Sequence, residues 1–253
     1  MSVSAVVVSH GHARELESLL PLLAPQVDDL VVVANIPGSA PGTLPSGVRV
    51  LQNVRPLRLA ANVNLGVAAT AGEWVLYSNP DVVPDAGAVE LLHGFAVTRP
   101  RCGIAGPRAR WPDGTWQPTR RDFPTVGGTL VRRTPLRRLF PPLERQRAHY
   151  HLDEDVDGPV EADWLLGAFL LMRRAMLDEL GGFDEGYRHY VEDIDLSYRA
   201  MRAGWERWYV PGAQVTHDWA QVTDSRFLSR HTLWHVRSMA RFVREHPETL
   251  ARL

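Results

Sequence analysis

The chain has 253 residues, of which 45% are hydrophobic and 23% are charged, and its formal net charge of -1 excludes wholesale nucleic-acid binding. Its one cysteine, Cys102, excludes an intrachain disulfide, and we expect a soluble cytoplasmic protein. The amino terminus lacks the basic start of a signal peptide, and no window approaches the roughly 18 apolar residues of a membrane span, so we expect any membrane contact to be peripheral.

The first half of the chain alternates strand-like and helix-like segments, which is typical of a parallel sheet with crossover helices. β-branched and apolar runs predict strands over residues 2–9, 30–34, 47–52, 73–78 and 102–106. Helical periodicity predicts helices in between, over 59–71, 86–98 and a first helix whose buried face consists of Leu16, Leu19, Leu20 and Leu23. These segments predict a nucleotide-binding-like α/β half.

The next part of the chain follows different patterns. Pro112-Asp113-Gly114 between two short polar and aromatic arms predicts a β-hairpin over 108–117. Residues 125–158 are rich in arginine and proline without a clear period, and we interpret them as a long, partly mobile surface excursion. The apolar run 160–174 then suits a central strand or a pair of strands, followed by a short helix.

Late in the chain, polar residues come at the ends of predicted elements. Apolar residues recur at helical spacing from Ile194 to Met201, so Glu192 and Asp193 lie at the amino terminus of a predicted helix. A strand over 206–217 ends at His217. A basic amphipathic helix over about 224–246 follows, and no second compact domain is evident.

The stretch LYSNPDVVPD, residues 76–85, ends a predicted buried strand in Asn79-Pro80-Asp81. Asn-Pro and Pro-Asp are turn formers, and Asp85 is placed to cap the following helix. The alternative is that Asp81 binds a metal or a diphosphate, because open parallel sheets place ligand-binding groups at the carboxyl ends of their strands. Spacing alone leaves both interpretations open.

Five blocks of sequence, 6–12, 59–87, 163–174, 181–205 and 210–217, resemble in the same order those of an inverting family-two glycosyltransferase of the rhamnosyltransferase-like type. The resemblance implies one GT-A domain over 1–253, with a mostly parallel, nucleotide-binding-like sheet flanked by helices. Within it we expect a nucleotide-sugar-binding half (1–107), a mixed-sheet acceptor and catalytic half (108–223) and a carboxyl-terminal amphipathic helix (224–253).

The resemblance also implies a reaction. A sugar, rhamnose or another deoxysugar, moves with inversion from a dTDP- or UDP-sugar donor to a glycan or polyprenyl-linked acceptor, as in cell-wall or polysaccharide biosynthesis at the inner face of the cell membrane. Asp193 is the implied general base, with Glu192 beside it. Asp81 is the implied ligand of Mn²⁺ or Mg²⁺ at the diphosphate, and His217 either completes that metal site or is structural.

Further residues match the family's binding positions, each with a structural alternative. The implied donor-binding residues are Ser9, Asn35, Asn62, Asn64, Asn79 and Asp81, and helix capping is the alternative for the asparagines of the helix 59–71. The implied acceptor-binding residues are Trp164, Gly167, Ala168 and Arg120. The alternatives are that Trp164 packs in the core and that Arg120 is a solvated surface residue.

Two features keep other interpretations open. Ala34 stands where the family usually has an aspartate that binds the nucleobase, so the second hypothesis is a catalytically weak or inactive homologue that binds a sugar nucleotide or a glycan. The carboxyl-terminal helix either packs on the sheet, packs on a partner subunit in a homodimer, or lies on an anionic membrane surface.

Overall fold

The computed structural model describes residues 2–123, 151, 156–188, 190–218 and 230–252, which contain both strands and helices of an α/β fold. The strands are β1 (Val3–Ser9), β2 (Asp29–Ala34), β3 (Val48–Gln52), β4 (Trp74–Ser78), β5 (Val82–Pro84), β6 (Cys102–Arg110), β7 (Arg120–Arg121), β8 (Val160–Glu161), β9 (Trp164–Leu165), β10 (Phe169–Arg173) and β11 (Glu206–His217). The helices are α1 (Ala13–Leu23), α2 (Leu59–Ala68), α3 (Ala88–Val97), α4 (Arg174–Leu180), α5 (Glu192–Arg202) and α6 (Arg230–Glu245).

One mixed sheet holds nine of the described strands, in the order β3-β2-β1-β4-β10-β6-β11-β5, with β8 beside β11. The first four strands are parallel, as the sequence predicts. Strand β10 enters from the second half of the chain and lies antiparallel between β4 and β6. The predicted fold class, a mostly parallel half joined to a mixed half, is confirmed.

Each face of the sheet buries its own apolar cluster. On one face the four predicted leucines of α1 are fully buried and share a cluster with Ala5 and Val7 of β1. On the other face Val6 and Val8 share a cluster with α2. Gly66 permits this close packing, because a Cβ at that position would lie 2.2 Å from Val6 Cγ1. Successive side chains of β1 thus point to opposite faces of the sheet, and the sheet is the middle layer between helices on both faces.

Several sequence expectations differ from the structure in detail. The apolar run 160–174 splits into β8, β9 and β10, and of these only β10 is central in the sheet, because β9 pairs with β7 in a separate two-stranded ribbon. Asp85 does not cap α3, since its carboxylate accepts from both terminal guanidinium nitrogens of Arg110 (2.6 and 3.0 Å) and the N-cap residue is Gly87. The predicted hairpin is present, with Arg110 bridged to Trp116.

Most of the predicted excursion 125–158, and the first residues of the predicted carboxyl-terminal helix, lie outside the described residues. The described part of that helix, α6, packs on α5 through the buried side chains of Met239 and Phe242. His246 Nε2 also lies 2.8 Å from Oδ1 of the buried Asp195 in α5. Packing within the chain is therefore the arrangement observed for this helix.

Candidate active site

Helix α5 begins with two acidic residues, Glu192 and Asp193, as the sequence predicts. The two residues before it, Tyr190 (φ +61°) and Val191 (φ +77°), both have left-handed backbone conformations. For a β-branched residue such as Val191 this conformation is strained, at a cost of about 1–3 kcal/mol. The buried Val191 side chain packs in the cluster of α5 and α6, so tertiary contacts hold this strained turn in place.

Asp193 is held by two backbone N–H groups. Gly167 N–H donates to Oδ2 and Ile194 N–H donates to Oδ1, both at 2.9 Å. A Cβ at position 167 would lie 3.0 Å from Asp193 Cβ, so the glycine permits this approach. Burial raises the pKa of Asp193 above its usual value, although the two N–H donors and the charge of Arg121 oppose the shift. The result is a fixed carboxylate with increased proton affinity.

Glu192 is the more strongly perturbed member of the pair. Burial, and then the charge of Asp193, raise its pKa from the usual 4.5 to about 8. Its Oε2 is buried without a hydrogen-bond partner among the described residues, although the residue as a whole keeps partial exposure. At neutral pH the Glu192 carboxyl therefore keeps its proton and is a hydrogen-bond donor for a bound molecule.

A small pocket, open to solvent, lies beside these two carboxyl groups. Its wall is mostly apolar, and the lining residues are Leu59, Ala60, Val63, Tyr77, Gly167, Phe183, Glu192 and Asp193. The hydroxyl of Tyr77 donates to Asn79 Oδ1 at 2.6 Å, and burial followed by the charges of Glu192, Asp81 and Asp193 raises its pKa well above the usual value. Tyr77 is thus a neutral donor close to all three acidic residues.

Asp81 and His217 face each other at a second edge of the site. Strand β5 pairs antiparallel with β11, which sets His217 opposite Val82, and Asp218 N–H donates to the carbonyl of Asp81 at 3.0 Å. His217 Nε2 lies 3.6 Å from Asp81 Oδ1. That oxygen is buried without a hydrogen-bond partner among the described residues, while the Asp81 side chain as a whole is 27% exposed.

The two acidic regions are joined through adjacent residues. Asn79 N–H donates to Ala168 O at 2.8 Å, while Gly167 N–H donates to the Asp193 carboxylate. The cause is the insertion of β10 beside β4, which brings the residues just before β10 next to the residues just after β4. The structure therefore brings together Asn79, Asp81, Gly167, Ala168, Glu192 and Asp193 at the carboxyl end of β4.

Asp81 and His217 fit a divalent cation that the substrate helps to hold. In the described part of the chain no group of three or more histidine, cysteine or acidic residues forms a complete metal centre. The pair does offer one unpaired carboxylate oxygen and an imidazole, and nucleotide-bound cations commonly combine one or two protein ligands with phosphate oxygens. An imidazole ligand suits Mn²⁺ better than Mg²⁺.

The remaining implied donor-binding residues have side chains that bond within the protein. Ser9 Oγ donates to Ser39 O (2.7 Å), and Asn35 Oδ1 accepts from Leu57 N–H (2.7 Å). The side-chain amides of Asn62 and Asn64 donate to backbone carbonyls of loop residues, Asn62 to Arg58 O (3.0 Å) and Asn64 to Phe183 O (2.8 Å). These contacts brace the loops around the site, and donor binding by these residues stays a prediction.

The acceptor-side residues are also tied into the fold. Trp164 is 5% exposed, and its Nε1–H donates to Asp122 O at 2.8 Å. Arg120 lies on β7 opposite Leu165. Sequence reasoning missed Tyr77, which lines the pocket, and Gln117, whose side-chain Oε1 lies 3.0 Å from His217 Nδ1. Tyr77 is one of two aromatic residues in β4, so its residue type is only a weak signal, and the hairpin position of Gln117 offers none.

The fold and this acidic site define the class of protein, a GT-A glycosyltransferase. Residues 27–244 match the family model described as "Glycosyltransferase like family 2", and the chain belongs to that family. In the part of the chain that the structure describes, no helix combines the length and apolar character needed to cross a membrane.

The chain is similar to named members of this class. It is 33% identical to the N-acetylglucosaminyl-diphospho-decaprenol L-rhamnosyltransferase of Mycobacterium tuberculosis, over 96% of this chain and 83% of that one. It is 36% identical to the rhamnosyltransferase WbbL of Escherichia coli K12, over 36% of this chain and 34% of that one. In fold it resembles GalNAc-T7, solved with UDP, GalNAc and Mn²⁺ (TM-score 0.66, 17% identity), covering 99% of this chain and about half, 51%, of that one.

Proposed function

We propose that the protein transfers rhamnose or another deoxysugar from a dTDP- or UDP-sugar to a polyprenyl-diphosphate-linked GlcNAc, with inversion at the anomeric carbon. The observation that carries this proposal is the Asp193 carboxylate, fixed by Gly167 N–H at the edge of a pocket and buried enough to raise its pKa. The name of the Mycobacterium tuberculosis relative supports the choice of sugar and acceptor.

Inverting transfer needs a base on one face of the donor sugar and a leaving group on the other. The acceptor hydroxyl oxygen forms a bond to the anomeric carbon, the bond from that carbon to the diphosphate oxygen breaks, and Asp193 takes the hydroxyl proton. Asp81 and His217 would hold a divalent cation, which would supply positive charge to stabilise the leaving diphosphate. The raised pKa of Asp193 makes its carboxylate a stronger base than an ordinary aspartate.

The apolar pocket wall supports a deoxysugar. Leu59, Ala60, Val63 and Phe183 suit a methyl group, which gains about 0.8 kcal/mol when buried. A sugar with a hydroxymethyl group in the same place would bury a hydroxyl against this wall. The protonated Glu192 carboxyl adds a hydrogen-bond donor for a ring hydroxyl.

The outward face of α6 supports contact with the membrane that carries such an acceptor. Leu233 and Val236 are 50% and 48% exposed on this face, and the exposed arginines Arg237 and Arg244 lie on the same side at helical spacing. Arginine attracts anionic lipid by about 1 kcal/mol per residue near the surface, and exposed apolar side chains insert at the headgroup boundary.

The reaction is tested with Mn²⁺, a panel of nucleotide sugars that includes dTDP-rhamnose and UDP-GlcNAc, and a short polyprenyl-diphosphate GlcNAc. We expect acceptor-dependent release of nucleoside diphosphate with the deoxysugar donor, and NMR of the product to give the inverted anomer. Absence of turnover with every donor, together with nucleotide binding by the wild-type protein, would support the inactive-homologue hypothesis instead.

Membrane contact is tested separately by co-sedimentation with vesicles. We expect binding to vesicles that contain phosphatidylglycerol and weak binding to pure phosphatidylcholine. The double variant Leu233→Asp/Val236→Asp should bind the anionic vesicles less while keeping its activity on a water-soluble acceptor, because this face lies opposite the α5 contact. Equal sedimentation of the variant and the wild-type protein would rule out this surface.

A further inference from the structure

Gln117 is a buried polar residue directly behind the Asp81–His217 edge. It is 5% exposed, and it follows the turn of the hairpin after β6. Its backbone N–H donates to Ala109 O at 2.8 Å, and its backbone carbonyl accepts from Thr119 N–H at 2.9 Å. The hairpin therefore fixes the backbone on both sides of the Gln117 side chain.

The Gln117 amide binds His217 at two points. Its Nε2 donates to the backbone carbonyl of His217 at 2.6 Å, and its Oε1 lies 3.0 Å from His217 Nδ1. The end of the amide that faces a carbonyl must be the NH₂ group, so the end that faces the ring is the oxygen. An oxygen acceptor at this position requires a proton on Nδ1, and in the neutral imidazole Nε2 then carries the lone pair.

This orientation aims the lone pair of His217 at Asp81. Nε2 and Asp81 Oδ1 are 3.6 Å apart, which is too long for a hydrogen bond, and both atoms are acceptors in the neutral-imidazole state. Two acceptors this close do not stabilise each other, but both can be ligands of one bound cation. Pairing of β5 with β11 fixes both backbones, so the remaining freedom is the ring orientation that Gln117 sets.

We propose that Gln117 is a positioning residue, which holds His217 as the Nδ1–H tautomer so that Nε2 binds the divalent cation of the donor diphosphate together with Asp81. This inference rests on the proposed metal-dependent transferase. Outer partners of metal-binding histidines fix the ring and its tautomer, and their loss typically lowers metal affinity about 10- to 100-fold.

The test measures Mn²⁺ binding with saturating dTDP by electron paramagnetic resonance, without acceptor and without turnover. Gln117→Leu removes both contacts and should weaken Mn²⁺ binding about 10- to 100-fold. Gln117→Glu keeps an oxygen for Nδ1–H but sets its second oxygen against the His217 carbonyl, so it should restore only part of the affinity. Gln26→Leu is the matched control, because Gln26 also bridges backbone groups through both amide ends, and it should bind Mn²⁺ like the wild-type protein.

A second readout is the tautomer itself. Long-range ¹H–¹⁵N NMR of the metal-free wild-type protein at pH 8 should give His217 as the Nδ1–H form, and Gln117→Leu should give a mixture. A wild-type Nε2–H form would overturn the proposal without any variant, as would wild-type Mn²⁺ affinity in Gln117→Leu. Neither measurement involves sugar transfer, so failure of the transferase proposal in the donor assay would be seen independently.

Discussion

The two acidic regions of the site are built in opposite ways. Antiparallel pairing of β5 and β11 positions the Asp81 region, and the Asp81 side chain is 27% exposed beside the His217 imidazole. The Glu192–Asp193 region follows two left-handed residues at a helix start, and both its carboxyl groups have raised pKa values because of burial. A partly exposed carboxylate beside an imidazole suits a cation, whereas a buried pair with high proton affinity suits proton transfer.

The variant Asp193→Asn should have the largest effect and should separate the roles of the two regions. We expect kcat to fall about 10²- to 10⁴-fold, because the acceptor proton loses its base. Binding of dTDP with Mn²⁺, measured by calorimetry, should stay at the wild-type level. Asp178→Asn, which changes an exposed carboxylate on α4, is the control and should keep both properties. Weakened nucleotide binding in Asp193→Asn would contradict the division of roles.

Asp81→Asn should give the converse result. The variant loses the charge of a proposed metal ligand, so Mn²⁺-dependent binding of dTDP should weaken by more than about 10-fold, while any binding without Mn²⁺ changes little. Calorimetry with and without Mn²⁺ measures both. If Asp81→Asn binds Mn²⁺ and dTDP as tightly as the wild-type protein, Asp81 is not at the metal.

Gly167→Ala tests the contact that joins the two regions. The new Cβ would lie 3.0 Å from Asp193 Cβ and 3.1 Å from Oδ2, so the carboxylate must shift by a few tenths of an ångström. We expect kcat to fall about 10-fold, since small displacements of a catalytic group are costly. The control Gly94→Ala lies on α3 with open space around its Cβ and should keep its activity. Equal kcat values would show that catalysis tolerates this displacement of the Asp193 carboxylate.

Glu192→Gln should change the pH dependence of stability. In the folded protein Glu192 keeps its proton up to about pH 8, whereas in the unfolded chain it loses it near pH 4.5. Between these two pH values the folded state binds more protons than the unfolded chain. The contribution of Glu192 to the free energy of unfolding therefore falls as pH rises through this window. At pH 8 the variant should be more stable than the wild-type protein by about 1–2 kcal/mol, a discounted value because the residue keeps partial exposure.

Urea unfolding at pH 5.5 and pH 8 measures this effect. Asp193, whose pKa is also raised, should leave a smaller slope of the same sign in Glu192→Gln. The control Glu90→Gln changes an exposed residue of α3 and should follow the wild-type curve. An unchanged slope in Glu192→Gln would mean that the Glu192 carboxyl is not buried as a neutral group.

Much of the fold was predictable because its signals are local. The periodicity of the four α1 leucines and the β-branched runs of β1 and β2 predict elements that agree with the structure within a few residues. The helix start at Glu192 was predicted for the same reason. The division of 160–174 into three strands was not, because an apolar run has no period that distinguishes one strand from several.

The site was predictable only in part. Residue type and position at the end of an element identify Asp81, Asp193 and His217 as candidates, and no local pattern indicates that the asparagine amides brace loops or that Gln117 binds His217 across 100 residues. Asp85 illustrates the limit, because its sequence context favours a helix cap while its carboxylate binds Arg110.

The sequence by itself determined the elements, the fold class and the acidic residues at the ends of strands and helices, since those follow from periodicity and turn chemistry among near neighbours. The tertiary structure decided which ends meet. Insertion of β10 beside β4 joins Asn79 to Ala168 and so to Asp193, and pairing of β5 with β11 sets Asp81 against His217. Burial, which sets the proton affinity of Glu192 and Asp193, exists only after these distant segments have packed.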